Sequence, residues 1–214
     1  MLTAIATPRP PASLPAGGYR FNIDEFERIA SSLEAERVEL IDGIIVERAD
    51  MDPPHVVASE RLRRRLDRLV PDGWFVREDK PLRVDRTYEP FPDLVIVQGD
   101  PYTAYLDRHP GPADVAIVIE ISGSTLARDR GEKLANCARG GIGIDWVVNL
   151  VDRQLEVYAD PGPEGYSTNE TYVPAQSAPL VIGGVEVGRI AVADILPAES
   201  ITERKPGDSG VYRG

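Results

Sequence analysis

Asp114-Val115-Ala116-Ile117-Val118-Ile119-Glu120-Ile121 is aliphatic almost throughout until it reaches a carboxylate. The β-branched run predicts a buried strand. A carboxylate is rarely buried without a partner, because desolvating its charge costs several kcal/mol. Upstream, Pro92-Asp93 opens a second apolar run, Leu94-Val95-Ile96-Val97. One acid therefore begins a strand and the other ends one. Antiparallel pairing of the two strands brings both acids to the same edge of a sheet. Two hard oxygen ligands side by side there form a candidate divalent-metal site.

On either side of these strands the pattern alternates between helix and strand signals. Asn22 or Asp24 caps a predicted helix that runs to about Leu33, with Phe26 and Ile29 facing inward. Val38 to Val46 is a hairpin signal, because Asp42-Gly43 between apolar runs favours a type I′ turn. After a loop from Met51 to Pro54, residues 55–70 read as a helix with Ala58, Leu62, Leu66 and Leu69 as its buried stripe. Strands are expected near 74–78, 81–85 and 94–98, a surface loop or short helical turn over 100–112, and a third helix from Arg128 to Arg139 ended by Gly140-Gly141. A hairpin follows around Val151-Asp152-Arg153, then a polar Pro/Gly loop over 160–170, weak strands near Tyr172 and Val181, and a short element at Val192 to Leu196. This order predicts an α+β (α/β-like) chain with a mixed sheet. The expected organisation is one domain over 19–198 between unstructured tails, 1–18 and 199–214.

The composition narrows the function. The net charge of −11 argues against a general nucleic-acid coat, since such binding depends on phosphate neutralisation. It leaves room for an enzyme that meets nucleic acid through a local basic patch and a metal. Cys137 is the only cysteine, which excludes an internal disulfide and fits a reducing, cytoplasmic compartment. One cysteine and two histidines, His55 and His109, make a Cys/His zinc site a poor fit. No apolar run approaches the roughly 20 residues that span a bilayer, and no secretory signal pattern opens the chain, so no membrane partner is expected. Lysine is scarce, with only Lys80, Lys133 and Lys205.

Each candidate side chain also has an ordinary reading. Lys133 follows Asp129 by four residues, the spacing of a common surface ion pair. If the helix packs beside the end of the preceding strand, the same lysine can neutralise a phosphate. Asp93 after proline suits a turn, and Glu120 at a strand end can snorkel to water or pair with arginine. Glu39, between Val38 and Leu40, would ordinarily face solvent, and His55 would cap or pack its helix. The arginines at 61, 63, 64, 65 and 68 read as a solvated face, with a phosphate track as the alternative.

Taken together, Glu39-Leu40-Ile41-Asp42-Gly43, His55 opening a helix, Pro92-Asp93-Leu94-Val95-Ile96-Val97, Val118-Ile119-Glu120-Ile121-Ser122 and Asp129-Arg130-Gly131-Glu132-Lys133-Leu134-Ala135 form a series. This series resembles the Uma-type family of restriction endonucleases, a branch of the PD-(D/E)XK nuclease superfamily. The resemblance spans roughly residues 22–197. It implies a restriction-endonuclease-like mixed central sheet flanked by helices, with the active site at one sheet edge. It equates Asp93 with the motif aspartate and Glu120 with the motif glutamate. The motif lysine is replaced by Ser122 and is represented by Lys133 in the following helix. Glu39 and His55 match further positions near the site. The chain departs from the family at Ser122-Gly123-Ser124-Thr125, where Ser-Pro-Ser-Thr is usual. It departs again at Cys137, where tyrosine is usual, and at Gly143-Ile144-Asp145-Trp146, where Pro-Glu-Tyr-Trp is usual.

The resemblance implies metal-dependent hydrolysis of phosphodiester bonds, with DNA as the nucleic-acid partner. Mg²⁺ or Mn²⁺ would be held by Asp93, Glu120 and the Ile121 carbonyl, and Lys133, Glu39 and His55 would complete the catalytic group. A homodimer, cutting both strands, is expected by analogy. Two alternatives stand beside it: a non-catalytic binding or accessory protein retaining the fold, and an enzyme acting on other phosphate esters.

Overall fold

The computed structural model describes residues 18–30, 32 and 38–198. The tails expected over 1–18 and 199–214 lie outside these residues, apart from Gly18, as does the expected helix end near Leu33. Helix α1 (Ile23–Ala30) opens with a reciprocal cap, in which Asn22 Oδ1 accepts from the Glu25 N–H and the Asn22 N–H donates to Glu25 Oε2. Strands β1 (Val38–Ile41) and β2 (Ile44–Glu47) pair antiparallel. Their turn carries Asp42 at φ 50° and Gly43 at φ 74°, as a type I′ hairpin requires. Helix α2 (Pro53–Leu69) starts two residues earlier than expected. Asp52 caps it, and Pro53 and Pro54 occupy positions whose N–H groups have no helical partner anyway.

The centre is a six-stranded sheet built from β3 (Trp74–Glu78), β4 (Leu94–Gln98), β5 (Val115–Ser122), β6 (Ile144–Asn149), β7 (Gln154–Gly162) and β8 (Gly165–Tyr172), in that spatial order. Every neighbouring pair is antiparallel except β5 and β6. A parallel pair needs a crossover. Here it is helical: α3 (Leu126–Arg128), a π-helical segment (Asp129–Lys133) and α4 (Leu134–Arg139). Strands β9 (Ser177–Ile182) and β10 (Val185–Ala191) form a separate hairpin, followed by α5 (Val192–Ile195).

The period-two alternation of β4 and β5 sorts their side chains onto two covered faces, which is why both runs are apolar throughout. Leu94, Ile96, Ile117, Ile119 and Ile121 pack with Ala58, Leu62 and Leu66 of α2 and with the β9–β10 hairpin. Val95, Val97 and Val118 face the other way, toward Ile41, Leu82, Tyr88 and Cys137. Leu40, on the far side of β1, is covered by Ile23, Phe26 and Ala30 of α1. Truncating a fully buried Leu62 or Ile96 to alanine is expected to cost about 2–5 kcal/mol.

Three local expectations change. Residues 81–85 form no strand, although Leu82 and Val84 are buried. Prolines at 81, 90 and 92 deny this segment a continuous ladder, and only single bonds remain, such as the Leu82 N–H to the Pro90 carbonyl. Residues 160–170 are not a loop but the β7–β8 hairpin. Pro161 is tolerated because β6 ends opposite Ala159, so Pro161 pairs only with β8. The third helix is interrupted by its π segment, where the Leu134 N–H reaches back to the Asp129 carbonyl. Among the described residues no helix is long and apolar enough to cross a membrane.

Candidate active site

The β4–β5 register pairs Leu94 with Ile119, and one further step sets Asp93 opposite Glu120. Both acids sit on the sheet face that carries Val95 and Val118. The Ile121 N–H donates to Asp93 Oδ2 at 2.6 Å, fixing that carboxylate against the end of β5. The other oxygen, Asp93 Oδ1, stands 3.0 Å from His55 Nε2. His55 is placed for this by the cap of α2, where its own N–H donates to Asp52 Oδ1. Burial pushes His55 toward neutrality, but the hydrogen bond and charge of Asp93, aided by Asp52 and Asp79, outweigh it and raise its pKa.

Lys133 enters from the crossover. Its Nζ donates to Glu120 Oε1 at 3.0 Å and stands 3.6 Å from Glu39 Oε2 and 3.8 Å from Asp129 Oδ1. Lys133 and Glu120 are each only 6% exposed. The expected surface pair with Asp129 is therefore part of a buried cluster. Burial disfavours the ammonium, yet Glu120, Glu39, Asp129 and Asp93 together raise the Lys133 pKa, so the group stays cationic. Glu120 is pushed well above the usual carboxylate range, first by burial and then by its acidic neighbours, with Lys133 opposing. One ammonium is thus shared among Glu120, Glu39 and Asp129.

Asp129 ties the crossover to the strand end. Its Oδ2 accepts from Ser122 Oγ at 2.8 Å and from Thr125 Oγ1 at 2.5 Å. Ser122 thus anchors the segment that delivers Lys133. Arg130, one residue on, grips Glu156 through its Nε at 2.8 Å and a second contact from Nη2.

Glu39 departs from its ordinary reading. It is 1% exposed and faces the cluster, because it shares a strand face with the buried Ile41. The hairpin is held there by a two-way bridge between Leu40 and Glu89, and the Phe91 N–H donates to Glu39 Oε2 at 3.3 Å. Among the described residues Glu39 Oε1 has no hydrogen-bond partner.

These groups line one cleft. Asp93, Glu120, Ile121, Lys133, Glu39 and His55, the residues singled out in the sequence, all border it. Arg48 and Arg128 border it as well and escaped the sequence reading. Arg48 pairs with Asp79 and stacks over Phe91, and Arg128 Nη2 lies 3.8 Å from Glu39 Oε1. Neither had a signal beyond its charge, since both need the hairpin and the crossover brought together. The arginines of α2 stay outside: Arg63 pairs with Asp67 and Glu78, Arg64 with Glu60 and Arg65 with Asp194. Among the described residues no three His, Cys, Asp or Glu groups form a ready-made metal cage.

The sequence matches the model of the Uma2 family, described as "Putative restriction endonuclease", over residues 23–193. No curated protein matches it. A solved structure described as "a putative nuclease belonging to DUF820" from Anabaena variabilis ATCC 29413 is similar in fold, with a TM-score of 0.59 at 14% identity. The likeness covers 82% of this chain and 97% of that one.

Proposed function

Since the chain belongs to the Uma2 family, whose description is restriction endonuclease, we propose that it is a metal-dependent endonuclease hydrolysing phosphodiester bonds in DNA. The observation that carries this reading is the convergence of Asp93 and Glu120 at one sheet edge with the Lys133 ammonium on Glu120. The donor chemistry fits a hard divalent cation. The available groups are carboxylate oxygens, and among the described residues Glu39 Oε1 is a buried acceptor with no hydrogen-bond donor. Asp93, Glu120 and the Ile121 carbonyl would hold Mg²⁺ or Mn²⁺. When bound, the ion supplies Lewis acidity and a water of lowered pKa.

The chain's own groups do the rest. Lys133, held cationic, works as a fixed charge beside the scissile phosphate and not as a general base. Asp129, fastened by Ser122 and Thr125, keeps the lysine's backbone in place. His55 and the Ile121 N–H hold the Asp93 carboxylate in one orientation. Glu39 sets the far wall, where it would hold a water or a second cation. A homodimer, placing two such sites on one duplex, belongs to the same proposal and is tested by light scattering.

A second reading, a non-catalytic binding or accessory protein retaining the fold, is favoured by the net charge of −11 and by the ion-paired arginines of α2, which give a free nuclease little positive steering. Supercoiled plasmid and single-stranded DNA, incubated with Mg²⁺, Mn²⁺ or EDTA beside Lys133→Ala, separate the two. Metal-dependent cleavage absent from the variant supports the nuclease. Metal binding with no cleavage supports the second reading.

A further inference from the structure

Resting on the nuclease reading, we propose that Arg128 is the phosphate-contacting residue of the cleft, the group that grips the DNA backbone beside the acidic cluster. Phosphate recognition needs a cation with free donors, and each of the other cations lining the cleft holds a closer ion pair than Arg128 does. Lys133 Nζ donates to Glu120 at 3.0 Å, with Glu39 and Asp129 close by. His55 Nε2 is held by Asp93, and Arg48 is paired with Asp79. Arg128 differs. Its Nε is buried and has no hydrogen-bond partner among the described residues, and its Nη2 lies 3.8 Å from Glu39 Oε1, beyond hydrogen-bond length. The side chain is still 26% exposed, so the guanidinium can be reached from the cleft.

The unmet groups are complementary. Arg128 Nε is a donor lacking an acceptor, and Glu39 Oε1, its long-range partner, is an acceptor lacking a donor. Leaving both buried and unsatisfied is costly. A phosphodiester accompanied by a cation satisfies both, the anionic oxygens on Arg128 and the cation on Glu39. The planar guanidinium fork matches two phosphate oxygens as an ammonium does not. Its base is rigid: the Arg128 N–H bonds the Thr125 carbonyl at 2.8 Å, and the next residue, Asp129, is locked to Ser122 and Thr125.

The test is binding of a fluorescein-labelled DNA duplex by anisotropy across a salt series. Ca²⁺ replaces Mg²⁺ to limit turnover, and wild type, Arg128→Gln and Arg128→Lys are compared at equal thermal midpoints. The expected result is weaker binding by Arg128→Gln on unrelated sequences alike, with the slope of log K against log salt shallower by about 1. Arg128→Lys should recover the slope and only part of the affinity. In cleavage, Arg128→Gln should raise KM more than it lowers kcat. If Arg128→Gln does not fold, the lysine variant still decides: full wild-type affinity would overturn the fork. Wild-type affinity and slope in Arg128→Gln would overturn the role of Arg128 alone. A wild type that binds no nucleic acid would overturn the nuclease reading and this inference with it.

Discussion

Lys133 Nζ and Glu120 Oε1 stand 3.0 Å apart across 13 positions of sequence, and both groups are nearly shielded from water. The parallel β5–β6 pair accounts for this contact. It forces a crossover, and the crossover lays the lysine over the strand end it has just left.

Replacing that lysine is expected to destabilise the fold as well as silence the site. Lys133→Met leaves Glu120 and Glu39 buried without their ammonium, a loss of about 3–5 kcal/mol when one partner of a buried pair is removed. Protonation of Glu120 relieves part of it, so the deficit should shrink as pH falls. Urea unfolding of both proteins at two pH values checks this, and a deficit that grows toward acid would contradict it.

Asp145 gives a separate pH signature. It is 1% exposed, its Oδ1 has no hydrogen-bond partner among the described residues, and burial raises its pKa from 3.8 to about 8. The folded protein therefore keeps a proton that the unfolded chain releases near pH 4. Stability from this group is full below that pH and is lost as pH rises toward 8. Asp145→Asn, which cannot ionise, should flatten the decline and be the more stable protein at pH 8, by an amount on the order of a few kcal/mol. Equal pH profiles would show that Asp145 is ionised in the fold.

The turn that delivers Glu39 is vulnerable at Gly43. Its φ is 74°, and an added Cβ would lie 2.7 Å from Arg20 Cβ and 3.1 Å from the Phe21 carbonyl oxygen. Gly43→Ala should cost more than about 1 kcal/mol, from strain together with this clash. Thermal unfolding measures it. An unchanged midpoint would mean that the hairpin shifts freely, and Glu39 with it.

How much of this was legible follows from particular residues. Asp93 and Glu120 could be placed because one opens an apolar run and the other closes one, and antiparallel pairing of neighbours does the rest. Asp42-Gly43 declared its turn through the positive φ it tolerates. The burial of Glu39 was hidden, since alternation says that Glu39 and Ile41 share a face but not that α1 covers the opposite one. Leu82 and Val84 imitate a strand because they alternate, yet proline denies them a ladder. The π segment and Arg128 gave no pattern, because both depend on how the crossover settles against Ser122 and the hairpin.

Glu156 offers a prediction remote from the chemistry. It accepts from Arg130, Asn149, Gln154 and Tyr158, and their hydrogen bonds overcome the effect of burial to lower its pKa. Glu156→Ala should cost about 2–3 kcal/mol by orphaning these donors. By loosening Arg130 it should also reduce turnover without changing the metal requirement. A destabilised variant with wild-type turnover would limit Glu156 to a structural role.

The central claim is that Asp93 and Glu120 act together as the cation-holding pair of a phosphodiesterase. The most direct measurement is the initial rate of plasmid nicking in Mg²⁺ by wild type and Asp93→Asn, with folding matched by circular dichroism. The account predicts metal-dependent nicking by wild type and a rate lower by about 100-fold or more in the variant, the scale of losing several kcal/mol of transition-state stabilisation. Nicking by Asp93→Asn at the wild-type rate, with the same response to Mg²⁺, would contradict it.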